Sequence, residues 1–554
     1  MGAAQAVVLL GRLCVAATTA ITMLLVALAA TALFLAVAAA WRRARPDGRR
    51  LPPTLPGAHP LWGHAGSLLH PIESLHERLG PLARDHPGAV TLRVGPTWLP
   101  AWLSPPIVML SDPVLVREAF AAANGPALAH EPEIMENVQT VMGRGLLGID
   151  GPAWQARRGY VLSTFFSLKA LGAAAHVVDR HSARAVTILE SRADPTAPVD
   201  LYTQHLVPLM LAIIVELICG VDVAADHDGT DTDTPVPRSL ARDMGLVFDE
   251  VNNRTFRLLR TLRPTSPAYR AAFARARDYI DSLVRRRAET GAAAGGHDLI
   301  STLVAGQDTG DIAKSGTNGG EQISATEARR AARNPYTCEA DVRAEAILFM
   351  FAGFESTSST LAYTVHLLAH HPDVQERVRA EAAQWRRGSA GAHDALGAMP
   401  LAEAVLREAM RIHPITHMLT RRMARDLSLG DVHVVPAGAR LLINNLGMSN
   451  AEHAWDDPTA FRPERWMGVR DDAAPAGGEA ASPDQYASLP FGAGRRSCPG
   501  RRLAVLEMKL ILASLLDRFR FAPDPDRPVL ERRVAFVMRP HRYSVLCTPI
   551  ARPP

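Results

Sequence analysis

The sequence predicts a mainly α-helical protein with small β-sheets, preceded by one N-terminal transmembrane helix. Two observations predict this: an uncharged apolar stretch near the start of the chain, and long segments whose apolar residues recur at helical spacing. Three short segments, Val90–Val94, Ile107–Leu110 and Ala439–Ile443, are typical of strands and are bounded by Pro and Gly. The predicted helices are 113–122, 152–166, 169–192, 200–219, 268–288, 341–369, 373–386, 400–412 and 500–518.

The apolar stretch runs from Leu13 to Trp41 without a charged residue. As a helix, these residues would be about 43 Å long, which exceeds the ~30 Å hydrocarbon core of a bilayer. A cleaved signal peptide has an apolar core of only about 7–15 residues, and a transit peptide is rich in Arg and Ser. The basic cluster at 42–50 is expected to stay cytosolic. We therefore predict a retained single-pass anchor with a lumenal N-terminus.

The chain divides into three parts. Residues 1–50 form the predicted anchor and its basic flank. Residues 51–57 (LPPTLPG) form a proline-rich hinge, because proline stops the helix and stiffens the link. Residues 58–554 form one large globular domain. Three segments within it are predicted surface loops, because they are polar or small and lack apolar periodicity: 222–237, 305–334 and 467–482.

Composition excludes several classes of protein. The 554 residues are 47% hydrophobic and 21% charged, which is typical of a globular chain with an apolar addition. The five cysteines are scattered and odd in number, which argues against a disulfide framework and for a reducing compartment. The net charge of the chain is +4. Residues 1–50 alone carry +5, so residues 51–554 carry −1. That balance does not indicate a nucleic-acid-binding face.

One cysteine, Cys498, lies in a glycine-framed loop with two arginines, FGAGRRSCPG at 491–500, directly before a predicted helix. A thiolate there would face the N–H groups and the positive dipole end of that helix, which favour negative charge. Gly494 and Gly500 let the backbone approach a flat ligand, and Arg496 can donate to a carboxylate. A flat ligand with carboxylates that needs a soft anionic axial ligand is haem.

The loop resembles the haem-binding loop of the cytochrome P-450 family, whose pattern is F-x-x-G-x-R-x-C-x-G. Every fixed position is met, by Phe491, Gly494, Arg496, Cys498 and Gly500. The alternative, an inert cysteine in a Gly-rich turn, is typical of isolated cysteines rather than of the full pattern. The resemblance implies the cytochrome P-450 fold, a haem b cofactor (iron protoporphyrin IX), and Cys498 as its axial thiolate and metal ligand.

A second segment, AILFMFAGFESTSSTL at 346–361, is an apolar helix interrupted by small and polar residues. Ala352 and Gly353 are expected to leave room for a ligand, and hydroxyls can open a local kink. The segment resembles the family's oxygen-activation motif, A/G-G-x-D/E-T-T/S. It implies a catalytic proton relay of Glu355 and Ser356, with serine in place of the usual threonine. The alternative is an ordinary buried helix with a polar end.

A third motif pairs Glu408 with Arg411, which lie three apart on a predicted helix and face one way. With FRPERW at 461–466, it resembles the family's buried E-x-x-R pair and its P-E-R-F/W segment. The resemblance implies a structural charge triad of Glu408, Arg411 and Arg465 that supports the haem loop. A solvated surface pair is the alternative.

The resemblance also implies partners for the haem carboxylates. Trp154 and Arg158 match a W-x-x-x-R helix, and Arg421 aligns with the propionate-binding arginine, with Arg422 as a near alternative. The alternative for each arginine is a surface charge.

Together these motifs imply an NADPH-dependent cytochrome P-450 monooxygenase in the endoplasmic reticulum membrane, with its catalytic domain cytosolic. It would insert one oxygen atom from O2 into a lipophilic small molecule, by hydroxylation or epoxidation, such as a fatty acid, terpenoid or polyketide of secondary metabolism. NADPH–cytochrome P-450 reductase is the expected electron donor, and cytochrome b5 is a further candidate. A basic docking face is expected at Arg157, Arg501, Arg502 and Lys509, and an apolar pocket at Phe349, Phe354, Ile415, Met418, Leu419, Phe536 and Val537.

Two other functions remain open on the sequence. A haem-thiolate isomerase or lyase would rearrange a hydroperoxide without a reductase, and such enzymes often lack the acid–alcohol pair. A non-enzymatic haem-binding membrane protein would have no need for a proton relay.

Overall fold

The computed structural model describes 21–29, 31–32, 51–66, 74–96, 104–121, 128–129, 132–192, 194–222, 240, 242–247, 249–250, 266–289, 298–304, 334–388, 391–430, 432–467, 484–534 and 537–550. The predicted loops at 222–237, 305–334 and 467–482 fall almost wholly outside these ranges, as do Phe536 and most of the predicted anchor.

Helices dominate the described chain, and the nine predicted helices are all present. They are α1 (Leu75–Asp85), α2 (Pro113–Phe120), α3 (Pro132–Met142), α4 (Gly151–Ser163), α5 (Leu168–Arg192), α6 (Val207–Cys219), α7 (Pro267–Glu289), α8 (Leu299–Val304), α9 (Glu339–His370), α10 (Pro372–Gly388), α11 (Pro400–Ile412), α12 (Asn445–Ser449), α13 (Asp484–Ala487) and α14 (Arg501–Arg518). Of these, α1, α3, α8, α12 and α13 were not predicted. A π-helical turn, Tyr202–Leu206, leads into α6. Short 3-10 turns lie at Ala392–Leu396, Pro463–Trp466 and Gly494–Arg496.

Small sheets complete the fold, which confirms the predicted mainly helical class. The strands are β1 (Ala89–Leu92), β2 (Ile107–Leu110), β3 (Leu128–Ala129), β4 (Leu419–Met423), β5 (Leu427–Leu429), β6 (His433–Val435), β7 (Arg440–Ile443), β8 (Phe519–Pro523), β9 (Glu531–Val534), β10 (Met538–His541) and β11 (Val545–Pro549). One sheet has the order β1-β2-β7-β4-β3, with β2 parallel to β7 and the other pairs antiparallel. The pairs β5–β6, β8–β11 and β9–β10 are antiparallel hairpins or ladders.

The core is built around α9, which packs against α6, α11 and α14, while α14 also packs against α5. Helix α6 is buried on nearly every side because its sequence is apolar all round. A β-carbon added at Gly353 would lie 2.7 Å from Ile214 Cδ1 of α6. The expectation that Gly353 leaves room for a ligand is therefore wrong: its missing side chain lets two helices approach closely.

Among the described residues, one straight helix is long and apolar enough to be a candidate membrane span. The stretch Tyr202–Cys219 is long and apolar enough to span a bilayer, but 78% of it is buried inside the fold, so it is a core helix. Within the predicted anchor, 21–29 and 31–32 are helical. Their large apolar side chains are more than half exposed, with Met23 at 71%.

Candidate active site

The cysteine loop turns sharply between α13 and α14. Gly492 and Gly494 adopt φ values of +68° and +67°, a region that strains other residues. The Gly492 N–H donates to Leu489 O at 3.1 Å, and the Cys498 N–H donates to Phe491 O at 2.8 Å. These bonds close the loop on itself and fix the backbone of Cys498 against Phe491. The sequence pattern contains Gly494 but not Gly492, whose role only the backbone shows.

The Cys498 side chain is exposed, three residues before α14 begins. Crowding by protein atoms raises the pKa of its thiol through desolvation. The backbone N–H groups of Gly500 and Arg501, and the charges of Arg158 and Arg501, act in the opposite direction and favour the thiolate. A metal ion bound to the sulfur would displace the proton outright.

The structure brings three predicted cofactor-binding residues together beside the cysteine. The guanidinium of Arg496 lies 3.7 Å from the centre of the Trp154 ring, and that of Arg158 lies 5.6 Å from it. Arg158 Nη2 donates to Ser497 Oγ at 3.4 Å. Arg496 also contacts Asp150, and burial lowers its pKa to about 10. These two cations on one indole ring suit a ligand that carries carboxylates.

Arg421 lies on β4, on the same face as Leu419 and Met423, since alternate residues of a strand share a face. Leu419 Cδ2 lies 3.4 Å from where a β-carbon of Gly492 would be, so this face of β4 meets the cysteine loop. Arg421 is buried and donates to Thr420 O at 2.7 Å. Arg422 is on the opposite face, which favours Arg421 of the two.

An aromatic cluster joins the cysteine loop to α9. The Phe166 ring is 5.6 Å from that of Phe349, and the Phe165 ring is 5.9 Å from it. Phe166 also lies 3.7 Å from where a β-carbon of Gly500 would be. The two phenylalanines at 165 and 166 were not predicted from the sequence. They follow α4 in a tight turn that carries no recognisable pattern.

Ala352 and Ser356 lie one turn apart on α9, and both are at least partly exposed. The Ser356 Oγ donates to Ala352 O at 2.7 Å, the back-bonding that hydroxyls use inside helices. Of the two small residues predicted to leave room, Ala352 is the exposed one. Phe354, predicted to line the pocket, is only 1% exposed and belongs to the core.

Glu355 points in another direction, into a buried polar network. Its Oε1 accepts a hydrogen bond from Tyr202 Oη at 2.8 Å and lies 3.8 Å from Arg539 Nη1. Arg539 also contacts Asp249, and Tyr202 Oη lies 3.2 Å from Ser359 Oγ. Burial raises the pKa of Glu355, which Arg539 and Tyr202 partly oppose.

The remaining members of this network come from distant parts of the chain. Tyr202 precedes α6, Asp249 follows it, and Arg539 lies on β10. Sequence patterns around α9 contain no signal for them.

Glu408, Arg411 and Arg465 lie in contact at the end of α11. Arg411 donates to both carboxylate oxygens of Glu408, at 2.8 and 2.9 Å, and neither side chain is exposed. Arg465 Nε donates to Glu408 Oε1 at 3.2 Å, and Trp466 Nε1 donates to Oε2 at 2.8 Å. Desolvation alone would raise the pKa of Glu408, but these hydrogen bonds, Arg411 first, hold it below its ordinary value.

The prediction that Arg157 and Lys509 belong to a basic docking face is wrong. Arg157 is 9% exposed and pairs with Asp341 at 2.6 Å. Lys509 is 1% exposed and pairs with Glu403 at 2.9 Å. Both sit on helix faces that point inward, which a count of charges along the sequence does not reveal. Arg501 and Arg502 stay at least partly exposed.

Comparisons with known proteins define the class. The family model for Cytochrome P450 matches residues 52–547, and the chain belongs to this family. Cyclooctat-9-en-7-ol 5-monooxygenase of Streptomyces melanosporofaciens is 28% identical over 85% of this chain and 90% of its own length. Leukotriene-B4 omega-hydroxylase 3 of Mus musculus is 25% identical over 86% of this chain and 85% of its own.

The fold agrees with a solved structure of the family. The crystal structure of the cytochrome P450DA heme domain superposes with a TM-score of 0.70 at 21% identity, over 91% of this chain and 99% of that one. The family implies a haem with an axial cysteine thiolate, and its members here include monooxygenases. The exposed Cys498 sulfur at a helix N-terminus, with Arg158 and Arg496 beside it, fits such a group.

Proposed function

We propose that this protein is a membrane-anchored haem-thiolate monooxygenase that transfers one oxygen atom from O2 to a lipophilic small molecule, by hydroxylation or epoxidation. The observation that carries the proposal is the position of Cys498, exposed and facing the N–H groups of Gly500 and Arg501. Cys498 would bind the iron of haem b. When bound, the haem supplies oxygen activation, which a thiolate ligand promotes.

The chain's own residues would orient this group. Arg158, Arg496 and Arg421 would pair with its two carboxylates, and Trp154 would hold the first two arginines through its ring face. Phe491, Gly494 and Gly500 would shape the loop. The Phe165–Phe166–Phe349 cluster would exclude water between the loop and α9.

Ser356 and Glu355 would handle protons. Ser356 Oγ is on the accessible face of α9 and can donate a proton there once its bond to Ala352 O is released. Glu355 is an acid whose raised pKa suits it to hold a proton. Its carboxyl is turned toward Tyr202, so transfer to Ser356 requires a rotation of the Glu355 side chain or a bridging water.

A lipophilic substrate of fatty acid, terpenoid or polyketide type is supported by Met418, Leu419 and Val537, which are partly exposed, whereas Phe349 is buried at 8% exposure. The substrates named for the two relatives, cyclooctat-9-en-7-ol and leukotriene B4, agree with this class. Ile415, which is also predicted to line the pocket, is buried, with 8% exposure.

Electrons would come from NADPH through NADPH–cytochrome P-450 reductase, with cytochrome b5 as a second donor, docking near Arg501 and Arg502. We place the protein in the endoplasmic reticulum membrane through residues 1–50, with the hinge 51–57 leading to a cytosolic catalytic domain, 58–554. The exposed apolar helix at 21–29 supports this. Leu61 and Trp62, at 53% and 65% exposure in a tight hairpin after the hinge, support contact with the bilayer surface.

Carbon monoxide binding to the reduced protein tests the assignment. We expect the red-shifted Soret band of a thiolate ligand, and its loss in Cys498→Ala. The same band in that variant would refute the role of Cys498. Substrate-dependent NADPH consumption with added reductase then separates a monooxygenase from a hydroperoxide isomerase and from a non-enzymatic haem protein, neither of which consumes NADPH.

A further inference from the structure

The short helix α12 lies between the Glu408–Arg411 pair and the cysteine loop. At its C-terminal end, Ser449 O accepts a hydrogen bond from Arg411 Nη1 at 2.9 Å. At its N-terminal end stands Asn445, whose side chain is fully buried. The helix therefore has a polar contact at each end. One is with Arg411 of the buried ion pair, and the other is made by the Asn445 side chain.

Asn445 binds the backbone that enters the cysteine loop. Its Oδ1 accepts from the Leu489 N–H at 2.8 Å, and its Nδ2 donates to Thr416 O at 2.7 Å and to Leu489 O at 3.4 Å. One buried amide thus fixes Leu489 against the segment that leads into β4. An unpaired donor or acceptor left here would be destabilising, because a buried polar group without a partner loses its hydration.

Leu489 also makes a hydrogen bond that closes the cysteine loop. Its carbonyl accepts from the Gly492 N–H at 3.1 Å, and Phe491 O next to Gly492 accepts from the Cys498 N–H at 2.8 Å. A displacement of Leu489 therefore moves the turn that carries Cys498. It would change how the sulfur meets the N–H groups of Gly500 and Arg501.

We propose that Asn445 is a positioning residue that couples the buried Glu408–Arg411 pair, through α12, to the place of the Cys498 sulfur. This rests on the proposed function, in which that sulfur is the axial haem ligand. Asn445 binds the backbone of Leu489 and Thr416 and acts on the sulfur through Leu489. Groups behind a metal ligand that fix its orientation typically change metal affinity by about 10- to 100-fold.

The neighbouring Asn444 provides a matched control. It is equally buried, and its side chain also makes hydrogen bonds: Oδ1 accepts from Gly447 N–H at 2.9 Å, and Nδ2 donates to Leu79 O at 2.8 Å. The first bond caps the N-terminal turn of α12 and the second leads to α1, and neither reaches Leu489 or the cysteine loop. Asn444→Ala and Asn445→Ala should therefore cost similar unfolding free energy but differ at the sulfur.

The experiment compares both variants as the full-length holoprotein. We expect Asn445→Ala to release haem about tenfold faster than Asn444→Ala, and to shift part of its reduced carbon monoxide band away from the thiolate type. Asn445→Asp keeps an acceptor for the Leu489 N–H, so we expect it to recover most of the thiolate band even where its stability stays low.

Equal haem release and equal band shapes in Asn444→Ala and Asn445→Ala would overturn the proposal. So would a failure of Asn445→Ala to fold while Asn444→Ala folds, because that outcome assigns Asn445 to folding alone. Wild-type protein without a thiolate band would instead refute the proposed function, which distinguishes the two failures.

Discussion

The Glu408 carboxylate should be the most sensitive single group in this fold. Glu408→Gln keeps the shape of the side chain but removes its charge and one acceptor. Three donors meet Oε1, from Arg411, Arg465 and the Arg462 N–H, and two meet Oε2, from Arg411 and Trp466. Whichever way the new amide is turned, its NH2 group faces at least two buried donors.

The magnitude follows from those contacts. Two unpaired buried donors cost about 1–3 kcal/mol each. Breaking a buried ion pair on one side costs about 3–5 kcal/mol. We therefore expect Glu408→Gln to lose about 3–5 kcal/mol, a large share of the about 5–15 kcal/mol that stabilises a typical domain. Because α12 links this pair to the cysteine loop, the haem content of the purified protein should fall with it.

Urea unfolding followed by circular dichroism, together with the ratio of Soret to protein absorbance, measures both effects. Glu464→Gln is the control, since Glu464 lies in the same PERW turn but pairs with Arg377 at the surface, where both side chains are about half exposed. That pair should contribute no more than about 1 kcal/mol. The reasoning is refuted if Glu408→Gln and Glu464→Gln unfold at the same urea concentration with equal haem.

Two further predictions concern the loop and a buried acid. Gly494→Ala puts a β-carbon at φ +67° and 3.1 Å from the Phe120 ring, so we expect a loss of about 1–3 kcal/mol and faster haem release. Gly438→Ala, at φ +79° with open space around it, should lower stability without affecting haem release, and equal haem release from the two variants would contradict this. Burial raises the pKa of Glu345 from 4.5 to about 7, so the folded state holds a proton that the unfolded state releases earlier. This carboxyl therefore lowers stability as pH rises through the window, and Glu345→Gln, which can still accept from the Leu146 N–H, should reduce the fall when urea midpoints at about pH 5 and about pH 8 are compared.

Local sequence patterns predicted the parts of the site that are local in the chain. The cysteine loop with the helix α14 that follows it, helix α9 and helix α11 each combine apolar periodicity with a fixed spacing of polar residues, so their positions could be predicted. Tyr202 and Arg539 could not be predicted from these patterns. Tyr202 lies 153 residues from Glu355 along the chain, and Arg539 lies on the strand β10 rather than on α9.

The errors have a common physical cause. Charge alone predicts that Arg157 and Lys509 lie on the surface, but each has a partly buried carboxylate partner that only the tertiary packing supplies. Gly353 was assigned to ligand space by its size, but size alone does not say which neighbour uses the gap. A sequence pattern predicts on which face of its own helix a side chain lies. It does not predict which residue of another helix or strand packs against that face.

The close fit of Ile214 against Gly353 has a practical consequence for redesigning the contact between α6 and α9. Ile214 Cδ1 and Cγ1 would lie 2.7 and 2.8 Å from a β-carbon at position 353, so this isoleucine fills the notch in α9 beside Ala352. Shortening Ile214 would leave a cavity between α6 and α9 without altering any polar group. Enlarging residue 353 would require a smaller residue at position 214, because the two side chains would otherwise occupy the same space.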